Sequence, residues 1–133
     1  MASRQVVSSL SPPPDYAHVA EVDRDERLVF TAGAVPLDPD GNLVGQGDLE
    51  RQTTAVLDNL RAALEAAGSG LEHVVLTRVY VVAREHAELA RVWEVVRASG
   101  LSAGPHCSTL LGVSLLGYTG QLVEVEAVAV APD

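Results

Sequence analysis

The nine residues VVLTRVYVV, 74–82, decide how this chain folds. They are apolar almost throughout and rich in β-branched side chains, which predicts a strand covered on both faces. Helical periodicity lies on either side. From Asp48 to about Ala67, Leu49, Thr53, Val56, Leu57, Leu60, Ala63, Leu64 and Ala67 fall on one stripe, with Asp48 as N-cap and Gly68 as stop. From about His86 to Ser99, Leu89, Val92, Trp93 and Val96 share a face, and Gly100 ends the run.

Upstream, HVAEV (18–22) alternates, DRDE turns and RLVFTAG (27–33) returns, which reads as a β-hairpin. PLDPDGN (36–42) is a turn-rich loop with Asp-Gly at 40–41. Residues 1–15 end in three consecutive prolines and are expected to form a stiff extended lead-in. Two further strands are expected at about 106–113 and 121–130. The order ββαβαββ predicts a single domain over 1–133. Its fold class is α+β, a two-layer sandwich with two helices on one face of a mixed sheet.

A mismatch follows from strand 74–82. Both helices are committed to one sheet face, yet the strand is apolar on both. The other face needs a cover, and a second copy of the same sheet supplies one. An oligomer with sheets inside and helices outside is therefore expected. In 121–130, Val123, Val125, Ala127 and Ala129 should meet the helices. Glu124 and Glu126 then look toward the subunit interface, unless that face is a solvated rim. Arg78 alternates with Leu76, Tyr80 and Val82, and needs a carboxylate or a bound anion if it is buried there.

Composition narrows the chemistry. All nine basic residues are arginine, so a lysine Schiff base and covalently held pyridoxal phosphate are excluded. A formal net charge of −9 makes nucleic acid an unfavourable partner. One cysteine forms no internal disulfide. The N-terminus lacks the apolar run of a signal peptide, and no stretch of about 18 apolar residues predicts a membrane span. A cytoplasmic protein without a membrane partner is expected. The four histidines show no helical metal-site spacing, so neither metal nor cofactor is expected. Gly45-Gln46-Gly47 is too short for a nucleotide loop.

LVFTAGAVPLDPDGNLVGQGDLERQTTAVLDNLRAALEAAGSGLEHVVLTRVYV, followed by GQLVEVEAVAV, resembles the RidA/YjgF family over about residues 14–131. The resemblance implies a chorismate-mutase-like fold and a homotrimer with sites between subunits. It also implies hydrolysis of reactive enamines and imines to ammonia and a keto acid. On this resemblance Tyr16, Ala32, Gly33, His106 and Cys107 line the site, and Glu124 positions the attacking water. The family's Pro-Ala-Arg-Ser falls at Pro105-His106-Cys107-Ser108, so the arginine that grips a substrate carboxylate is absent. A thiol cannot replace a planar five-donor fork. Arg78 is the candidate to replace it, or else a structural partner of Glu124 or Glu126.

Each residue also has a plainer reading. Cys107 is a nucleophile only if its thiolate is stabilised; otherwise it is a small hydrophobe. Adjacent strand residues face opposite ways, so His106 and Cys107 should not touch. His106 either protonates a leaving amine or is exposed at a strand start. Tyr16 lines a pocket or pins the lead-in. Gly33 admits a ligand to the backbone or simply turns the chain. The expected function is hydrolysis of a small imine, enamine or related molecule other than the usual imino acids. The alternative is a ligand-binding or protein-stabilising trimer without catalysis. Ribonuclease activity is disfavoured by charge.

Overall fold

The computed structural model describes residues 2–104 and 106–132; Pro105, of the Gly-Pro turn, lies outside them. Among the described residues the strands are β1 (Ala2–Gln5), β2 (Val19–Val22), β3 (Arg27–Phe30), β4 (Val74–Val82), β5 (Cys107–Val113) and β6 (Val123–Ala131). The helices are α1 (Leu49–Ala66) and α2 (His86–Arg97). Asp48 Oδ1 accepts from Arg51 N–H at 3.0 Å, so the N-cap forms as the sequence suggests. Gly68, at φ +77°, ends α1 in the left-handed conformation that side chains disfavour.

The main sheet runs β3-β6-β4-β5. β6 is antiparallel to both β3 and β4, while β4 and β5 are parallel and joined through α2. Both helices cover one face. Val56, Leu57, Leu60 and Leu64 of α1, with Val92, Trp93 and Val96 of α2, pack on Val79, Val81, Val123, Val125, Ala127 and Ala129. Burying each large aliphatic side chain stabilises the fold by roughly 1.5–3 kcal/mol.

Three expectations need correction. β2 and β3 do not form a hairpin: β2 pairs with β1, and β3 pairs with β6. The turn does close, with Glu26 N–H donating to the Asp23 carbonyl at 3.1 Å, but the chain changes sheets there. Secondly, the lead-in is not merely extended, because Ala2–Gln5 supplies the partner strand for β2. His18 fastens that corner: its Nδ1 accepts from Val7 N–H at 2.9 Å and its Nε2 lies 3.1 Å from the Ser11 carbonyl. Thirdly, the α1 stripe is narrower than predicted. Ala63 is exposed, and the polar Gln52 is fully buried instead.

The second sheet face is open in the single chain. Leu28 and Phe30 lie opposite Val130 and Val128, and Phe30 is 71% exposed. Leu76, Arg78, Tyr80 and Val82 continue that face, beside Cys107, Thr109, Leu111 and Val113 of β5. Among the described residues no helix is long and apolar enough to cross a membrane.

Candidate functional site

Glu124 is the second residue of β6 and faces the open side, half-buried, across from Tyr80. Its carboxylate does not hang free. Gln121 Nε2 donates to Glu124 Oε1 at 3.0 Å. The rest of the side chain lies over Gly33: a Cβ there would come within 2.6 Å of Glu124 Cδ and 2.8 Å of Cγ. Position 33 is thus glycine because the carboxylate occupies the space a side chain would take. Ala32 and Gly33 follow β3 in a segment held to β6 through Thr31 and Ala34. Thr31 N–H donates to the Ala127 carbonyl at 3.0 Å, and Thr31 Oγ1 accepts from Ala127 N–H at 3.0 Å. Ala34 N–H donates to the Val125 carbonyl at 2.7 Å.

A buried glutamine pair holds this end of the sheet. Gln52, on α1, donates from Nε2 to the carbonyls of Gly45 (3.0 Å) and Gly120 (3.1 Å), and accepts from Leu122 N–H at 2.8 Å. Gln121 is 3% exposed and accepts from Tyr118 N–H at 3.1 Å. Sequence reasoning missed both glutamines. Gln52 could have been found from its place on the apolar stripe, three residues after Leu49. Gln121 gives no such sign, because its role depends on the turn that precedes β6.

Cys107 begins β5 on the same open face, but at the other end of it. Cys107 pairs with Leu76, whereas Glu124 pairs with Tyr80. Four residues of β4 separate them, about 13 Å along the strand. Burial pushes the Cys107 thiol up, and the charge of Arg4 only partly opposes this. Cys107 is therefore a thiol at neutral pH and lacks the thiolate that a nucleophile requires. Arg4 is itself committed to structure, donating from Nη2 to the carbonyls of Glu72 (3.3 Å) and Val74 (3.2 Å).

His106 is neither exposed nor a pocket wall. It is 1% exposed beneath the sheet, with its ring 6.5 Å from that of Trp93. Neither ring nitrogen has a hydrogen-bond partner among the described residues. Desolvation lowers its pKa to about 4; the Leu101 backbone, near but outside hydrogen-bond geometry, opposes this without cancelling it. A neutral buried ring is not the acid for a leaving amine.

Tyr16 sits beside this end, because Ala17 N–H donates to the His106 carbonyl at 2.9 Å. It packs edge-on against Trp93 at 6.2 Å and lines a hollow of about 490 Å³ with His86, Leu89, Trp93, Ser108 and Thr109. Trp93 Nε1 donates to the Pro14 carbonyl at 2.8 Å, so the tryptophan pins the lead-in. Arg78 joins neither end. It pairs with Glu126 at 3.3 Å, and Tyr80 Oη donates to the same carboxylate oxygen at 2.9 Å. That hydrogen bond to Glu126, together with desolvation, raises the Tyr80 pKa.

A larger hollow, about 580 Å³, lies between the helices, on the other side of the sheet from Glu124. Its charged groups are paired, Glu50 with Arg91, Asp58 with Arg61, and Glu94 with Arg97. Among the described residues no group of three or more His, Cys, Asp or Glu could hold a metal ion.

Residues 8–131 match the family described as Endoribonuclease L-PSP. The chain belongs to this family, which includes the RidA/YjgF proteins. A solved Rid family protein of unknown function from Yersinia pestis, YyfB, superposes with a TM-score of 0.89 at 32% identity, covering 97% of this chain and 98% of that one. Protein DfrA of Myxococcus xanthus is 33% identical over 98% of each chain. The 3-aminoacrylate deaminase RutC of Acinetobacter baylyi is 26% identical over 78 residues, covering 59% of this chain and 62% of its own length. These likenesses support a hydrolase or deaminase-like role at the level of the L-PSP family.

Proposed function

We propose that this chain hydrolyses a small imine, or an enamine through its imine tautomer, in pockets formed where copies of the chain meet. One observation carries the reading. The Glu124–Gly33 group and Cys107 lie at opposite ends of one sheet face, too far apart to act on one small molecule within a single chain. A neighbouring copy that covers the apolar open face brings the Cys107 end of one chain to the Glu124 end of the next. The family resemblance adds that three copies close the ring, and the likeness to a deaminase supports the reaction class.

In this mechanism Glu124 accepts a proton from a water as its oxygen attacks the C=N carbon. Glu124 returns that proton to nitrogen, giving a neutral carbinolamine; it then takes the carbinolamine's hydroxyl proton and delivers it to nitrogen as the C–N bond breaks, so that ammonia leaves behind a carbonyl. Cys107 and Tyr16 serve as walls. With Arg78 held by Glu126 and cysteine at position 107, neither position offers a free guanidinium to grip a substrate carboxylate as the family arginine does. The preferred substrate is therefore not one of the usual imino acids. Despite the family's description, RNA is a poor substrate for a chain of formal charge −9 whose open face carries Glu124 and Glu126.

The test generates imino acids in situ from amino acids with an amino-acid oxidase, and imines without a carboxylate from primary amines with an amine oxidase, and follows the decay of both sets with and without the protein. Acceleration that Glu124→Gln lowers at least about a hundredfold supports the mechanism. Equal decay with and without the wild-type protein across both sets sinks it. A trimer that binds ligand without catalysis would then be the better reading, which the cysteine at position 107 favours.

A further inference from the structure

We propose that Gln121 is a positioning residue for Glu124, its buried amide deciding which carboxylate oxygen is engaged and which is left to hold water. The kinetic consequence rests on the deaminase reading above; the geometry does not.

The orientation of the amide is fixed by its surroundings. Tyr118 N–H points at one end of the Gln121 side chain, 3.1 Å away, and requires an acceptor there, which places Oε1 at that end. The NH₂ group then faces two acceptors, the Val123 carbonyl at 3.1 Å and Glu124 Oε1 at 3.0 Å. The reversed amide would set NH₂ against N–H and oxygen against a carbonyl and a carboxylate. Gln121 is 3% exposed, so water cannot stand in for these partners.

The platform beneath the amide is equally constrained. Gln121 N–H donates to the Tyr118 carbonyl at 3.0 Å, closing a tight turn through Gly120 at φ +81°. On either side of Gln121, the Gly120 carbonyl and Leu122 N–H are both bound by Gln52 of α1. Glu124 meanwhile cannot swing away on the Gly33 side, because its Cγ and Cδ already fill the space above that residue. One carboxylate oxygen is thus tied by a charge-assisted hydrogen bond and the other, Oε2, is left as the acceptor beside Gly33. A general base needs this asymmetry, since a freely rotating carboxylate offers its water no single position.

Two substitutions separate positioning from mere support of the turn. Gln121→Met keeps the length and removes the donor. Gln121→Glu keeps the shape and the acceptor for Tyr118 N–H, but places two carboxylates together. At low pH that pair shares one proton, which restores a donor to Glu124; at higher pH the donor is lost. In the imine-decay assay, kcat for Gln121→Met should fall at least about tenfold with KM within about twofold. Gln121→Glu should regain activity relative to wild type as pH falls, whereas Gln121→Met should not. A purely structural role would give no such divergence.

A second measurement needs no substrate. The side-chain amide NMR resonances of Gln121 should shift when Glu124→Ala removes the carboxylate. Unmoved amide resonances would overturn the proposal, as would a wild-type value of kcat in Gln121→Met. If the wild-type protein hydrolyses no imine but the amide resonances shift, the reaction assignment fails while the positioning geometry stands.

Discussion

Glu124 and Glu126 share a strand and a face, yet their surroundings divide their roles. Arg78 and Tyr80 both bind Glu126, whereas Glu124 meets a glutamine amide and a glycine backbone. The β6 alternation made the shared face legible, because a period of 2 needs no tertiary information. It did not show which carboxylate would meet Arg78, since that depends on the β4–β6 register. His106 was the harder residue. Nothing in HCS distinguishes an exposed strand start from one covered by Trp93. Its burial has a measurable consequence. The folded pKa of about 4 lies below the ordinary 6.5, so the unfolded chain binds the proton more readily. The stability due to a neutral His106 is complete above pH 6.5 and is lost progressively as pH falls toward 4. The loss amounts to at most about 3 kcal/mol. Urea midpoints measured across that window should fall less steeply for His106→Leu than for wild type; parallel curves would mean that the ring is not desolvated.

At the scale of elements, the helices and the paired strands β4 and β6 were legible because their apolar periods run for nine residues or more. The short strands were not. β1, ASRQ, is mostly polar with no alternation to mark it, and without it β3 is the one partner the sequence offers β2. Sheet switching at Asp23–Glu26 is a property of which ladders are free, and a local turn signal cannot report it. Gln52 shows the same limit from the opposite direction: a polar residue on an apolar stripe looks misplaced until three backbone groups of two loops are seen around it. Replacing it with leucine leaves those groups unsatisfied. Gln52→Leu should lower unfolding stability by about 2 kcal/mol or more, read from urea or thermal melts. It should also loosen the loop before β6, seen as faster amide exchange at Leu122. An unchanged melt would show that water replaces the amide.

At the scale of the whole molecule, the apolar character of strand 74–82 asks for a cover, and the structure leaves Leu28, Phe30, Leu76 and Val128 on a face that no element among the described residues covers. That requirement follows from hydrophobic surface alone; the number three comes only from family resemblance. The proposed chemistry depends on the assembly, because one chain holds the Glu124 and Cys107 ends apart. Light scattering at micromolar concentration, on wild type and on Phe30→Glu, tests this dependence most directly. With a chain of 14.0 kDa, the wild-type particle should have three times that mass, about 42 kDa, and Phe30→Glu should give a smaller, inactive particle. A wild-type particle of 14.0 kDa would contradict that assembly.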